Sequence, residues 1–212
     1  MAITTVLTSK GREVVAGRML GATPTQAEPK NIGWGIGAST AAVTDVGMST
    51  EAAEARVVGT SSLATTTTSN DTYQVVGTIT SASNQTVTEA VLTDSSTKPP
   101  TTTLSAAITT TGQTSITVAS AAGFPGSGNY NIQIEAEVLT VTAGQGSTTW
   151  TVTRGVNGST AATHSTSTPI VGGNAPGSTA VTGGTVYAKS TYTGLALNTG
   201  DSIAYTFQAA HS

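Results

Sequence analysis

The sequence predicts an all-β protein with one short N-terminal helix. The expected arrangement is a jelly-roll-like antiparallel β-sandwich, with a second, smaller β unit within the chain. Three observations predict the all-β class. Only 9% of the 212 residues are charged, against roughly 25% in an ordinary soluble domain. Val, Ile and Leu recur at period two through most of the chain, the spacing of strands with one buried face. The positions between them are filled by Thr, Ser, Ala and Gly, and β-branched Thr suits a pleated, half-exposed surface.

Residues 8–20 form the only convincing helix. Ser9 can cap its N-terminus, Val15 and Met19 form an i, i+4 apolar seam with Val14 and Arg18 beside it, and Gly21 offers a stop. Gly11 and Gly17 weaken it, so packing must stabilise it. After a Pro-containing loop over 22–30 comes NIGWGIG, residues 31–37. Ile32, Trp34 and Ile36 share one face, and Gly33, Gly35 and Gly37 leave the other bare for a close neighbour, for which the preceding helix is the obvious candidate. These glycines lack the GxGxxG spacing of a nucleotide loop. Residues 41–55 read as a loop carrying Asp45, Glu51 and Glu54, and 56–67 as a strand whose apolar members are Val57, Val58 and Leu63.

Two runs follow, 72–80 and 86–93, separated by Ser81-Ala82-Ser83-Asn84-Gln85. They read as a central hairpin. Val76 interrupts the polar side of the first strand, which predicts cover on both faces. The stretch SSTKPPTTT (95–103) then has two prolines and no apolar residue, and GGNAPGSTAVTGGT (172–185) is Gly-rich; both read as boundaries. Between them, 115–119 is a short strand. Ile132, Ile134, Ala136 and Val138 alternate on another, and the phase change at Leu139 and Val141 predicts a bulge near Val138 and Leu139. Gly144-Gln145-Gly146-Ser147 turns into 148–154, where Trp150 and Val152 share a face, and Asn157-Gly158 is a turn. The segment 186–208 resumes the first pattern. Leu195 and Leu197 share a face, and Ile203, Tyr205 and Phe207 oppose Ser202, Ala204, Thr206 and Gln208 in the last strand.

Several function classes lose support on composition. Eight Lys and Arg against eleven Asp and Glu, net charge −3, make no nucleic-acid footprint. The cluster Lys10, Arg12, Arg18 and Lys30 reads as a solvated helix face rather than a phosphate site. The absence of cysteine excludes disulfides and thiolate metal sites. The start MAITTVLTSKGREVV carries no basic leader followed by an apolar run, so synthesis in a cytoplasm is expected. No run approaches the roughly 20 apolar residues of a membrane helix.

Candidate chemistry is thin. His164 and His211 are the only histidines. A nucleophilic triad would need His164 near a Ser and a carboxylate, and no nucleophile elbow is present. Glu135 and Glu137 could act as a carboxylate pair or bind calcium, but a solvated strand face explains them. Turn and cap roles suffice for Asp94 and Asp201. Trp34 reads as a core anchor between isoleucines. Trp150 reads as core with a sugar platform as the alternative. Asn70, Asn84 and Asn157 open N-x-Ser/Thr triplets that, without a leader, are not expected to carry glycan. The expectation is no catalytic, cofactor-binding or metal residues, and no cofactor.

The strings LTSKGREVVAGRML, EPKNIGWGIG, EAAEARVVGTSS, NDTYQVVGTIT, TEAVLTD and YAKSTYTGLALNTGDSIAYTF resemble a group of tailed-bacteriophage structural proteins. In that group the strand like TEAVLTD runs, after a brief turn, into one like VYAKSTYTG. Here the turn is opened, and the stretches FPGSGNYNIQIEAEVLTVT and TVTRGVNGSTAATHS resemble a small β module of phage tail and capsid-associated proteins. The resemblance implies a host β-sandwich of residues 1–96 plus 183–212, an inserted module of 104–171, and linkers of 97–103 and 172–182. It implies a non-enzymatic virion component, a capsid decoration (cement) protein on the capsid exterior. Its partners would be the major capsid protein and copies of itself, with no direct nucleic acid and no membrane. The host unit would touch the shell and the module would project on flexible linkers. The alternative is a tail, fibre or baseplate part, whose module binds a host glycan or another tail protein.

Overall fold

The structure, a computed structural model, describes residues 3–20, 27–172 and 184–210. Among these residues it is all-β with a single α-helix. β1 (Ile3–Leu7) leads into α1 (Ser9–Met19). Thr8, not Ser9, is the N-cap: its hydroxyl accepts from the Gly11 N–H at 3.0 Å and donates to the Val186 carbonyl. The helix docks through Gly11 and Val14. A Cβ on Gly11 would lie 2.2 Å from the Tyr187 carbonyl oxygen, so the absence of a side chain is what lets the helix reach the sheet. The expected Val15–Met19 seam is not the buried one, since Met19 is 84% exposed. Gly21 and the stretch 22–26 lie outside the described residues.

The chain continues through β2 (Asn31–Gly35), β3 (Val57–Val58), β4 (Thr60–Ala64), β5 (Thr72–Thr80) and β6 (Gln85–Thr93). The inserted part holds β7 (Thr101–Thr103), β8 (Ser115–Thr117), β9 (Tyr130–Ile134), β10 (Glu137–Ala143), β11 (Thr149–Thr153) and β12 (Pro169–Gly172). β13 (Val186–Leu197) and β14 (Ser202–Ala210) close the host unit. The host has a five-stranded sheet, β1-β13-β6-β2-β3, and a three-stranded sheet, β14-β5-β4. All named pairings are antiparallel. The two sheets share one apolar cluster, to which Ile32, Trp34 and Leu92 come from the first and Val75, Ile79 and Phe207 from the second.

Two strand expectations are corrected here. β5 and β6 have nearly the expected extents but are not hairpin partners: β5 pairs with β4 and β14, and β6 with β13 and β2. The turn between them carries the chain from one sheet to the other, so Ile79 and Val87 enter the shared core from different sheets instead of lying side by side. Nor is β5 covered on both faces, because Val76 is 38% exposed and Thr78 and Thr80 are exposed. Similarly, the single strand expected over 56–67 breaks at Gly59, whose N–H donates to the Lys30 carbonyl at 2.7 Å. β3 then stays in the first sheet while β4 joins the second, which leaves Val58 and Leu63 on the surface.

The bare glycines of NIGWGIG are approached by the loop 48–56, not by α1. Cβ atoms on Gly33, Gly35 and Gly37 would meet Arg56, Met48, Thr50 and Ser49. That loop lies over the outer face of the five-stranded sheet and makes β2 buried along its whole length.

The module's six strands run in the order β7-β12-β9-β10-β11-β8. Its two end strands then meet: Leu104 bridges Val118, the Ser105 N–H donates to Thr117 O and the Ala119 N–H to Thr103 O. The sheet therefore closes on itself and leaves no free edge at β7 or β8. Ile116, Ile132, Ile134, Leu139, Trp150, Val152 and Ile170 are among the residues of its core. The strand expected through Ile132 to Val138 is two strands joined by a turn at Glu135-Ala136, with Glu135 at φ 52. The register irregularity falls between Val141 and Ala143, not at Val138. Thr101–Thr103 and Gly172 belong to the module's sheet, and 173–182 lies outside the described residues.

Candidate functional site

Among the described residues, buried charges gather in two places. The first is the seam between host and module. Lys189 on β13 is fully buried, with its ammonium 2.9 Å from Glu89 and 3.2 Å from Asp45. Both carboxylates are also fully buried. Glu89, in the middle of β6, accepts from the Ser49 N–H (3.0 Å), the Ser49 hydroxyl (2.7 Å) and the Thr50 N–H (3.3 Å). Asp45 accepts from the Ala42 N–H (2.9 Å) and from Nε2 of the module's Gln133 (2.7 Å). Gln133 in turn accepts from the N–H groups of Val46 (3.0 Å) and Gly47 (3.2 Å). One amide side chain on β9 thus holds the module against the host loop, and the charge triad fixes that loop to the sheet.

The chain's exit to the module is held as well. Arg56 pairs with Glu51 through Nε (2.7 Å) and Nη2 (2.9 Å), and donates to the carbonyls of Ser95 (3.1 Å) and Thr97 (2.9 Å). Lys98 donates to the Ala52 carbonyl. Asp94, where the chain leaves, accepts from the N–H of Thr185, where it returns. Burial raises the Asp94 pKa against that hydrogen bond. The stretch 95–100 is therefore anchored at several points and does not swing as a free tether.

The second place is inside the module. His164 is buried with Nδ1 2.7 Å from Glu135 and Nε2 2.9 Å from Glu137. Glu137 also takes both arms of Arg154, each at 2.7 Å, and the N–H groups of Gly155 and Ala162. Burial opposes charge on both groups but is outweighed. Arg154, His164 and the Ala162 N–H hold Glu137 down at about 2, while Glu137 and Glu135 raise the pKa of His164. Glu135 and Glu137 do not share a solvated strand face as expected. The turn separates them, leaving Glu135 exposed and Glu137 buried. With both ring nitrogens engaged by carboxylates, His164 has neither free to take a proton from a hydroxyl.

The other singled-out residues have structural settings. Trp34 is buried and donates to Glu54 at 3.0 Å. Trp150 is fully buried, donates to the Ser147 carbonyl at 2.8 Å and packs on Phe124 and Tyr130, so it presents no platform to a sugar. Asp201 accepts from the Asn198 N–H at 2.7 Å in the last turn. Asn70 and Asn157 hold left-handed turn positions, and Asn84 accepts from the Thr199 N–H at 3.0 Å. Lys10 and Lys30 pair with Glu13 and Glu28, and Arg12 and Arg18 line clefts beside α1. His211 lies outside the described residues. Among the described residues no group of three or more His, Asp or Glu is set to hold a metal, and no helix is long and apolar enough to cross a membrane.

Sequence reading missed the seam. A usable signal existed: in a chain this poor in charge, Lys189 in VYAKSTY and Glu89 in TVTEAVL sit within apolar strand runs. No known protein family, curated protein or solved structure matches the chain.

Proposed function

We propose that the chain is a non-enzymatic structural protein of a tailed-phage virion, a capsid decoration protein that binds the outer surface of the major capsid shell. The observation that carries this reading is how the charges are used. Lys189, Arg56 and Arg154 are buried in ion pairs with Asp45, Glu89, Glu51 and Glu137. The outward positions of the three-stranded sheet, by contrast, are Thr, Ser, Ala, Gln and Val. Such a surface docks onto a repeating lattice without desolvating unpaired charges, which costs several kcal/mol per ion. Many weak contacts on a lattice then sum to firm attachment. The host unit faces the shell, and the module, held at the seam, stands away from it. The buried Trp150 removes the feature that would have favoured a glycan-binding tail part. The test is cosedimentation of the purified chain with shells assembled from the major capsid protein of the same virus, followed by imaging of the decorated shell. Saturable binding with the host unit against the shell is expected. Failure to bind, together with localisation of the chain to the tail in intact particles, refutes the reading.

A further inference from the structure

We infer that β14 is a self-pairing edge, through which two copies of this chain join antiparallel about a twofold axis at Thr206. Among the described residues the host has four edge strands, β1, β3, β4 and β14. The first three have five, two and five residues. β14 has nine, paired to β5 without a register break from Ser202 to Ala210. Proteins protect a long edge with a charge, a proline, a bulge or a cover. Ser202–Ala210 reads SIAYTFQAA, with no charged residue and no proline, and no bulge interrupts its pairing with β5. The same chain closes the edges of its module, where β7 meets β8. The open edge of β14 is thus an exception within one molecule.

A second copy is the occupant that the strand itself fits. In antiparallel pairing, directly opposite residues point to the same face. Centring the twofold on Thr206 sets Tyr205 against the partner's Phe207, Ile203 against the partner's Ala209, and Thr206 against itself. Every inward apolar residue meets an inward apolar residue, and every outward residue an outward one, over all nine positions. A shift of the axis by half a residue would set Tyr205 beside the partner's Thr206 and mix the faces. Next to the edge, a 420 Å³ cleft lined by Thr5, Tyr192, Leu195, Tyr205 and Phe207 opens between the two sheets. Apolar surface there, including Leu195 at 38% exposure, would be covered by the partner's continuation of the sheet. The product is a six-stranded sheet with an isologous interface.

The full chain contains no cysteine, so single cysteines report the contact without background. Thr206→Cys is expected to cross-link to a dimer under mild oxidation, because antiparallel neighbours stand about 4.5–5.5 Å apart, within disulfide reach. Ala204→Cys is expected to dimerise without cross-linking, since it opposes Gln208. Sedimentation equilibrium of the unmodified chain should give twice the 21.0 kDa of one chain. Thr206→Lys and Thr206→Glu should each sediment as monomers, and an equimolar mixture of the two should restore the dimer, since Thr206 is exposed and neither change disturbs the core. A chain that is monomeric at every concentration, cross-linking no faster at 206 than at 204, or a mixture that fails to reassociate overturns the inference, including in favour of a strand from another protein.

Discussion

Replacing Lys189 by Met tests whether the seam triad is held by compensation of charge. The ammonium, Asp45 and Glu89 are all fully buried. Removing the cation leaves two carboxylates beside each other without their counter-ion, and breaking a buried pair in this way costs about 3–5 kcal/mol. That is a large part of the roughly 5–15 kcal/mol that holds a domain folded. At about 2–4 °C per kcal/mol for a chain of this size, the thermal midpoint should fall by roughly 6–20 °C. Urea unfolding should show the same loss as a lower midpoint at unchanged slope. Neutralising all three residues, Lys189→Met with Asp45→Asn and Glu89→Gln, should recover part of it. No buried charge is then left unpaired, although each amide keeps only one of the two acceptor oxygens that the carboxylates turn to Ala42, Gln133, Ser49 and Thr50. A single variant that loses less than the ~1 kcal/mol of a surface pair, or a triple variant as unstable as the single one, would refute the reasoning.

The His164 cluster predicts a stability window. The His164 pKa is raised from 6.5, so its contribution is complete below 6.5 and is lost as pH rises through the folded value; the Glu137 pKa is lowered from 4.5 to about 2, so its contribution is complete above 4.5 and is lost as pH falls toward 2. Denaturation of the full chain against pH should therefore show the His164→Gln variant losing the alkaline limb and keeping the acid one. Gly11→Ala should destabilise by about 1–3 kcal/mol through its clash with Tyr187 O, whereas Gly17→Ala, with nothing within 4 Å, should stabilise by about 0.5–1 kcal/mol; thermal melts of the two separate packing from helix propensity. Gln133→Ala should cost about 1–3 kcal/mol for each buried group left unpaired, and hydrogen exchange should speed up at the amides of Val46 and Gly47 while the module's core amides stay protected. Deleting 104–171 with its flanking segments, by bridging Ser96 to Gly184 with a short turn, should leave the host folded, with losses limited to the Gln133, Thr97 and Lys98 contacts, by circular dichroism and urea melts; an unfolded remainder would show the two units to be inseparable.

Strand positions were legible where side chains alternate cleanly. The final strand, with Ile203, Tyr205 and Phe207 inward, and the run over 72–80 follow directly from period two. Pairing was not legible, because alternation fixes which face of a strand is buried and says nothing about which strand lies beside it. Thus Ser81–Gln85 read as a hairpin turn although it carries the chain between sheets. The Glu135-Ala136 turn was invisible for a different reason. It has none of the Gly, Asn or Asp that usually mark such a turn, and Glu135 is held at φ 52 at a cost of about 1–2 kcal/mol, which its hydrogen bond to His164 helps to offset. The burial of Lys189 and Glu89 was signalled by their apolar strand runs, but which charges meet was not, because the members come from distant parts of the chain: Asp45, Glu89, Gln133 and Lys189 meet only once both units have folded.

On the proposed reading, the scarcity of charge and its placement have one physical explanation. A β-sheet face can be made ready for contact only if desolvating it strands no ion, and a mostly Thr, Ser and Ala surface achieves that. Such a surface is poor at specifying how separate pieces dock, because many hydroxyl and methyl contacts are nearly equivalent. Charges and amides, which tolerate few geometries when buried, are therefore retained where a unique arrangement is required. Lys189, Asp45, Glu89 and Gln133 fix the loop over the sheet and the module over the loop. Arg154, Glu137 and His164 tie the hairpin turn to the loop that follows β11. Arg56 and Glu51 fix the exit from the host. Each cluster spends its hydrogen-bonding capacity on backbone groups of neighbouring segments, which is what a rigid scaffold needs and what leaves the outer face of the three-stranded sheet and the edge of β14 free of charge. Introducing a charge at Thr206 therefore acts against association without touching any contact that holds the monomer together, and moving Lys189 does the reverse.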